Sequence, residues 1–220
     1  MNRFDRPRQA LAIGLAALAG YVDAFGFLSA DGYFVSFMSG NTTRLGVNLS
    51  RDPALAVIPA LLILGFVLGV MLGALVSAKA GARRKPVTLA IVAALLTTSS
   101  AARLAGSNEV MLGAMVLAMG ALNNTFQRDG EVAVGLTYMT GALVRLGQGL
   151  AAALLGQTGK GWGAYLLLWS GLAAGAVGGA WAHGHYAAAA PWIAAGWATT
   201  MTAFSFGLPA ERLPDDALPG

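Results

Sequence analysis

Six apolar segments, at residues 8–28, 54–78, 87–105, 109–127, 161–182 and 187–207, dominate this chain. Each approaches or exceeds the ~20 residues that an α-helix needs to cross the hydrocarbon core of a bilayer. No water is available there to satisfy exposed peptide groups, so only helices and closed barrels span it. A barrel requires alternating strands of about ten residues, and these Ala-, Leu- and Gly-rich runs do not alternate. Only 11% of the 220 residues are charged, where a soluble domain carries about a quarter, and mean hydropathy is +0.64. The chain reads as an all-α integral membrane protein with about six transmembrane helices.

Two motif-bearing segments, 33–50 and 132–155, fall outside these six. Ser36-Phe-Met-Ser-Gly-Asn-Thr-Thr-Arg-Leu-Gly46 returns 101 positions later as Thr137-Tyr-Met-Thr-Gly-Ala-Leu-Val-Arg-Leu-Gly147. The likeness continues on either side. Gly20–Asp23 is echoed by Gly120–Asn123. The ladder Gly65, Gly69, Gly73 is echoed by Gly171, Gly175, Gly179, and Ile91, Thr97, Thr98, Ser100 by Ile193, Thr199, Thr200, Thr202. The offset drifts slightly, as small loop insertions produce. One membrane domain, 1–207, therefore contains two tandem repeats, 8–105 and 109–207. Residues 208–220 are proline-rich and acidic and read as a disordered cytoplasmic tail.

Charge decides between topologies. If all eight segments cross, the densest basic loop (Lys79, Arg83, Arg84, Lys85) lies outside, against the positive-inside tendency. If the two motif segments are re-entrant or broken, ten basic residues fall inside and two, Arg51 and Arg103, fall outside, with the motif arginines uncounted. Each repeat then has three crossings and the second copy is inverted, a common transporter plan. Both termini are then cytoplasmic. Arg3, Arg6 and Arg8 before Ala17-Leu18-Ala19 resemble a cleavable leader, but cleavage there removes most of the first helix of the first repeat.

The polar residues within these segments are the candidate substrate-binding set: Asp23, Ser39, Gly40, Asn41, Arg44, Asn123, Thr140, Gly141 and Arg145. An intramembrane arginine costs ~2.5–3.5 kcal/mol on insertion scales, so it snorkels, pairs, or lines a wet cavity. On a continuous helix Ser36, Gly40 and Arg44 share a face, as do Thr137, Gly141 and Arg145. A guanidinium beside glycine-exposed backbone favours an anion. Asp23 is the single acid within a long apolar run. It is expected to pair with Arg44, as a static bridge or as a proton carrier, and Asn123 to face Arg145. The glycine ladders (Gly65, Gly69, Gly73 and Gly171, Gly175, Gly179) are expected to pack helices closely, between the repeats or in a homodimer.

Other classes are poorly supported. No cysteine is present, which excludes disulfides and thiolate sites. His183 and His185, without nearby carboxylates, make a poor metal site, so no metal or other cofactor is expected. No HExxH motif, P-loop or GxSxG elbow occurs, so the chain does not read as an enzyme. The net charge of +4 clusters at membrane edges and reflects topology, not nucleic-acid binding. Trp162, Trp181 and Trp192 fall near segment ends, as an aromatic belt requires.

Gly20-Tyr21-Val22-Asp23-Ala24, Met38-Ser39-Gly40-Asn41-Thr42 and Met139-Thr140-Gly141 together resemble the YoaK-like family of small bacterial integral membrane proteins, which carry a domain of unknown function. The likeness covers most of the chain. It departs at Ala142, where the first copy has Asn41. The resemblance implies a multi-pass fold in the bacterial inner membrane and supplies no substrate or reaction. The expected function is a small-solute transporter or channel-like permease, with the lipid bilayer and a small anion or polar metabolite as partners. A structural or accessory membrane subunit is the alternative.

Overall fold

The computed structural model describes residues 5–128, 131–132, 134–137, 139–157 and 161–209. Eight α-helices occur among them: α1 (Arg6–Ser29), α2 (Met38–Arg51), α3 (Val57–Ala80), α4 (Arg84–Leu104), α5 (Asn108–Leu122), α6 (Met139–Leu154), α7 (Trp162–Tyr186) and α8 (Ala190–Phe206). The expected tail lies outside the described residues from position 210 onward. A two-residue antiparallel ladder pairs Gln127 with Val132 and Arg128 with Glu131.

Local chemistry sets the helix boundaries. Asp5 caps α1 by accepting the Arg8 N–H at 3.1 Å, and Pro7 follows where its missing N–H costs nothing. At the far end Gly32, with φ of 83°, donates its N–H to Phe27 O and turns the chain back. Asp52 accepts the Ala54 N–H and starts the short 3₁₀ turn Pro53–Ala56 that leads into α3. The apolar pattern predicts that the fourth span runs to 127, but α5 stops at Leu122. Asn123 donates its amide to Met119 O, and Thr125 its hydroxyl to Leu122 O. These side chains compete for the helix's own carbonyls and end it.

Arg6–Ser29, the continuous stretch Pro53–Leu104 holding α3 and α4, and Trp162–Tyr186 are long and apolar enough to cross a membrane. Helices of 24 residues such as α1 and α3 measure about 36 Å, more than the ~30 Å hydrocarbon core. Leu61, Leu64, Leu68 and Leu75 on α3 are all exposed. In water such a face would be an aggregation surface; against lipid tails it costs nothing.

Two helix pairs pack backbone to backbone. Gly171, Gly175 and Gly179 of α7 lie against Ile13, Ala17 and Tyr21 of α1, and Gly20 of α1 lies against Leu172 and Ala176. Gly65, Gly69 and Gly73 of α3 lie against Val116, Leu117 and Ala121 of α5, with Gly120 against Phe66 and Val70. Residue numbers rise together in both pairs, so α1 runs parallel to α7 and α3 parallel to α5. α8 runs antiparallel to α1: Met201 meets Gly14, while Tyr21 Oη donates to Ala190 O at 3.0 Å. α4 packs between α5 and α8.

The ends of the bundle follow from these directions. Arg8 at the start of α1, Lys85 at the start of α4, and Ser205 and Pro209 around the end of α8 line one cleft. The end of α3 joins that same side through Gly81–Arg83. α3 therefore runs opposite to α1, and loop 30–37 with α2 makes no net crossing of the bundle. Likewise α5 ends where α7 begins, so α6 makes none either. A Cβ at Gly175 would collide with the Ala17 carbonyl, which belongs to a helix backbone and cannot yield. Gly175→Leu is expected to cost about 1–3 kcal/mol or more, whereas Gly184→Leu, with open space around it, stays within about 0.5 kcal/mol or stabilises slightly. Thermal unfolding in detergent compares the two; equal melting temperatures would refute backbone contact at Gly175.

Candidate functional site

The first motif segment is not one helix. After α1 the chain folds back along it as a non-helical stretch, and α2 begins only at Met38. Two acceptors hold this stretch. Asp23 Oδ1 accepts the Val35 N–H at 2.9 Å and the Ser36 N–H at 2.7 Å. Asn41, fully buried, accepts the Phe34 N–H at 3.0 Å and donates to Phe34 O at 2.7 Å. Amides captured by side chains cannot enter a helical ladder, which is why the helix starts late. Val35 fills the space beside Gly26, and the Phe34 and Phe37 rings cover Gly40.

The second motif segment has a related arrangement with weaker chemistry. Asn123 Nδ2 donates to Thr137 Oγ1 at 3.2 Å, and both groups are buried. Leu136 beside Thr137 is fully buried. Ala142, also buried, occupies the place of Asn41 and offers no polar group to the chain before α6. Asn124 donates to Val70 O at 3.0 Å and contacts Gln127 Nε2, tying this loop to α3.

The nine candidate residues are thus only partly gathered. Asp23 and Asn41 meet at the first fold-back and Asn123 anchors the second. Ser39, Thr140 and Gly141 are exposed on the outer faces of α2 and α6. Because Ser36 precedes α2, the expected face Ser36–Gly40–Arg44 does not form; Met38, Asn41, Leu45 and Asn48 turn inward instead.

The expected Asp23–Arg44 pair is replaced by two separate arrangements. Asp23 is met by amide dipoles, while the Arg44 guanidinium lies 5.1 Å over the Tyr33 ring and 6.0 Å from Phe27. Nor does Arg145 meet Asn123: it lies over Tyr165 at 5.6 Å and is exposed. Tyr165 stands six residues before Gly171, which is level with Ile13, whereas Phe27 is near the end of α1. The two arginines are therefore at opposite ends, about 30 Å apart along the axis.

Depth also separates the two fold-backs. Asp23 is six residues from the end of α1, about 9 Å along the axis. Asn124 contacts Gly73, seven residues from the end of α3 at the opposite side, about 10 Å along it. On α4, the buried hydroxyls Thr88 Oγ1 and Ser99 Oγ have no hydrogen-bond partner among the described residues. Sequence reading left Thr137 out of the candidate set and missed the amides of Val35 and Ser36; the signal was their similar spacing from the polar residue before them, 12 and 13 residues after Asp23 and 14 after Asn123. No group of three or more metal-ligating side chains occurs among the described residues.

Long apolar helices, outward leucines and buried amide clasps define a multi-pass α-helical membrane protein. The sequence matches the family described as "protein of unknown function (DUF1275)" over residues 11–204, and the chain belongs to that family. A curated UPF0700 transmembrane protein of Rhizobium meliloti (strain 1021) is 38% identical over 201 residues, covering 91% of this chain and 87% of that one. No solved structure matches it.

The clasp at Asn41 can be tested directly. Asn41→Ala leaves the N–H and C=O of Phe34 without these partners and is expected to cost about 2 kcal/mol. Thr42→Ala, on an exposed side chain bonded to Met38 O, is expected to change stability by less than about 0.5 kcal/mol. Hydrogen exchange at the Phe34 amide reads the effect: unchanged protection in Asn41→Ala would show that the clasp does not hold the loop.

Proposed function

We propose that this protein is a small-solute permease of the bacterial inner membrane, built from two inverted repeats of three crossings and one re-entrant segment each. The observation that carries the reading is the pair of fold-backs. Each has a non-helical stretch held by a polar residue in the preceding helix or at its C-terminal cap, and they enter from opposite ends. Helix exchange supports the repeats. α1 packs on α7 and α3 on α5, and α4 packs on its counterpart α8, as a two-fold axis in the membrane plane requires. The end bearing Arg8, Lys79, Arg83, Arg84 and Lys85 is assigned to the cytoplasm.

In this reading the fold-backs are two gates in series. Arg44 and Arg145 stand at opposite mouths and attract small anions or anionic metabolites. Their cationic charge is held by aromatic faces, which leaves N–H donors for a solute. The unpartnered hydroxyls of Thr88 and Ser99 are buried polar groups that a passing solute or water satisfies. Irregular backbone is tolerated at membrane depth where it is buried in protein or lines a water-filled route. No catalytic step is part of the proposal.

A structural or accessory subunit is the second reading. It is favoured by Asn41, whose bonds to Phe34 are already made in place. Flux in proteoliposomes across a panel of anions and polar metabolites separates the two. Wild type is expected to carry at least one anionic solute, and Arg44→Ala and Arg145→Ala to reduce its flux about tenfold each, as the loss of a charge-assisted contact implies. A folded wild type that moves none of the panel would favour the accessory role.

A further inference from the structure

At the basic end, a cleft of about 420 Å³ opens between the start of α1, the α3–α4 turn and the end of α8. Its volume is within the usual range for a small-molecule site. The lining divides by chemistry: Arg8, Arg83 and Lys85 form the polar part, and Pro86, Phe206 and Leu208 the apolar part. We propose that this cleft binds a phosphate-bearing anion, supplied by the headgroup of an acidic phospholipid. The proposal is independent of solute transport.

The three cations have different situations. Arg8 is held by Asp5 Oδ2 at 2.6 Å and donates to Pro209 O at 2.8 Å. It fixes the wall, and Asp5 offsets its charge. Lys85 is 7% exposed and lies 5.4 Å over the Phe126 ring. Its ammonium is thus held at the buried side of the cleft. Arg83 is exposed and has no hydrogen-bond or ion-pair partner among the described residues. Its planar fork is suited to two oxygens of one phosphate. Basic pockets between helices at a cytoplasmic membrane edge suit anionic headgroups.

Two observations favour a lipid source over a soluble one. Phe206 is 61% exposed beside the cations, a wall that a free phosphate would not use and the first carbons of an acyl chain would. The site also belongs to one end alone. α4 opens on Arg83-Arg84-Lys85-Pro86, whereas its packing partner α8 opens on Ala188-Ala189-Ala190-Pro191. The same proline-led helix start carries three cations at one end and three alanines at the other.

The test uses the full chain purified in a neutral detergent. Thermal unfolding is followed with added phosphatidylglycerol, cardiolipin, phosphatidylcholine, inorganic phosphate or glycerol 3-phosphate, and native mass spectrometry counts retained lipid. Phosphatidylglycerol and cardiolipin are expected to raise the melting temperature, and phosphatidylcholine to leave it unchanged. Arg83→Gln is expected to weaken that response about tenfold and Arg83→Glu to abolish it, for loss of one charge-assisted contact. Arg51→Gln at the opposite end is expected to respond as wild type. If inorganic phosphate or glycerol 3-phosphate stabilises at the same concentrations with the same Arg83 dependence, the lipid source is overturned in favour of a soluble phosphate. Anionic lipid retention that is absent in wild type, or unchanged in both Arg83 variants, overturns the site itself.

Discussion

Backbone-to-backbone contact between helices is the constraint on which the rest of this structure depends. In lipid there is little hydrophobic gain from bringing two apolar helices together, so close van der Waals approach must supply the association. Glycines at four-residue spacing on α7 and α3 remove the side chains that would hold the axes apart. Gly20 and Gly120 do the same on the partner helices. Because each pair joins a helix of the first half to one of the second, neither half can complete its packing alone. The fold-backs rest on this frame: Asp23 follows Gly20 by less than one turn, and Asn123 follows Gly120 by the same step.

Irregular backbone next to such a frame is expensive unless its amides are met. The first fold-back meets them with one carboxylate and one carboxamide. Asp23 takes two N–H groups through a single oxygen, and Asn41 pairs with both polar groups of Phe34. A carboxamide carries its donor and its acceptor on separate atoms, so it can meet an N–H and a C=O of one residue at once. The loop is therefore specified by two residues, Asp23 on α1 and Asn41 on α2. Arg44 is left to the aromatic rings of Tyr33 and Phe27 at the rim.

Much of the helical frame was legible in the sequence, because long apolar runs and four-residue glycine spacing act through period alone. The ends of α1 and α3 fall within a few residues of the apolar runs that predict them. Legibility fails where side chains outbid the helix for backbone groups. Nothing in periodicity reveals that Asn123 and Thr125 stop α5 at Leu122, since Phe126 continues the apolar trend. The motif misleads in the same way. Ser36, Gly40 and Arg44 have helical spacing, but Asp23 holds the Ser36 amide outside the helix, so the register that joined serine to arginine does not exist. The acid and the arginine each look unpaired in sequence, which suggests one another as partners. The structure gives the acid to backbone N–H donors and the arginine to rings, two kinds of partner that composition does not display.

The difference between Asp23 and Asn123 follows from where each stands. Asp23 holds a loop at the end that carries Arg44, Arg51 and Arg103 together with Asp31 and Asp52, and it is met by the Val35 and Ser36 amides and the Ser36 hydroxyl. Asn123 lies close to the basic end, four residues before Gln127, whose carbonyl accepts from Arg84 at 3.1 Å. A carboxylate at position 123 would be attracted toward the cations of that end. It would be drawn off the loop before α6 and toward α4. A neutral amide keeps its place, donating to Met119 O and exchanging a bond with Thr137. In the proposed inverted arrangement, a duplicated loop must work against unequal charge surroundings, mixed at one end and basic at the other. Conserving the geometry then requires changing the side chain that anchors it.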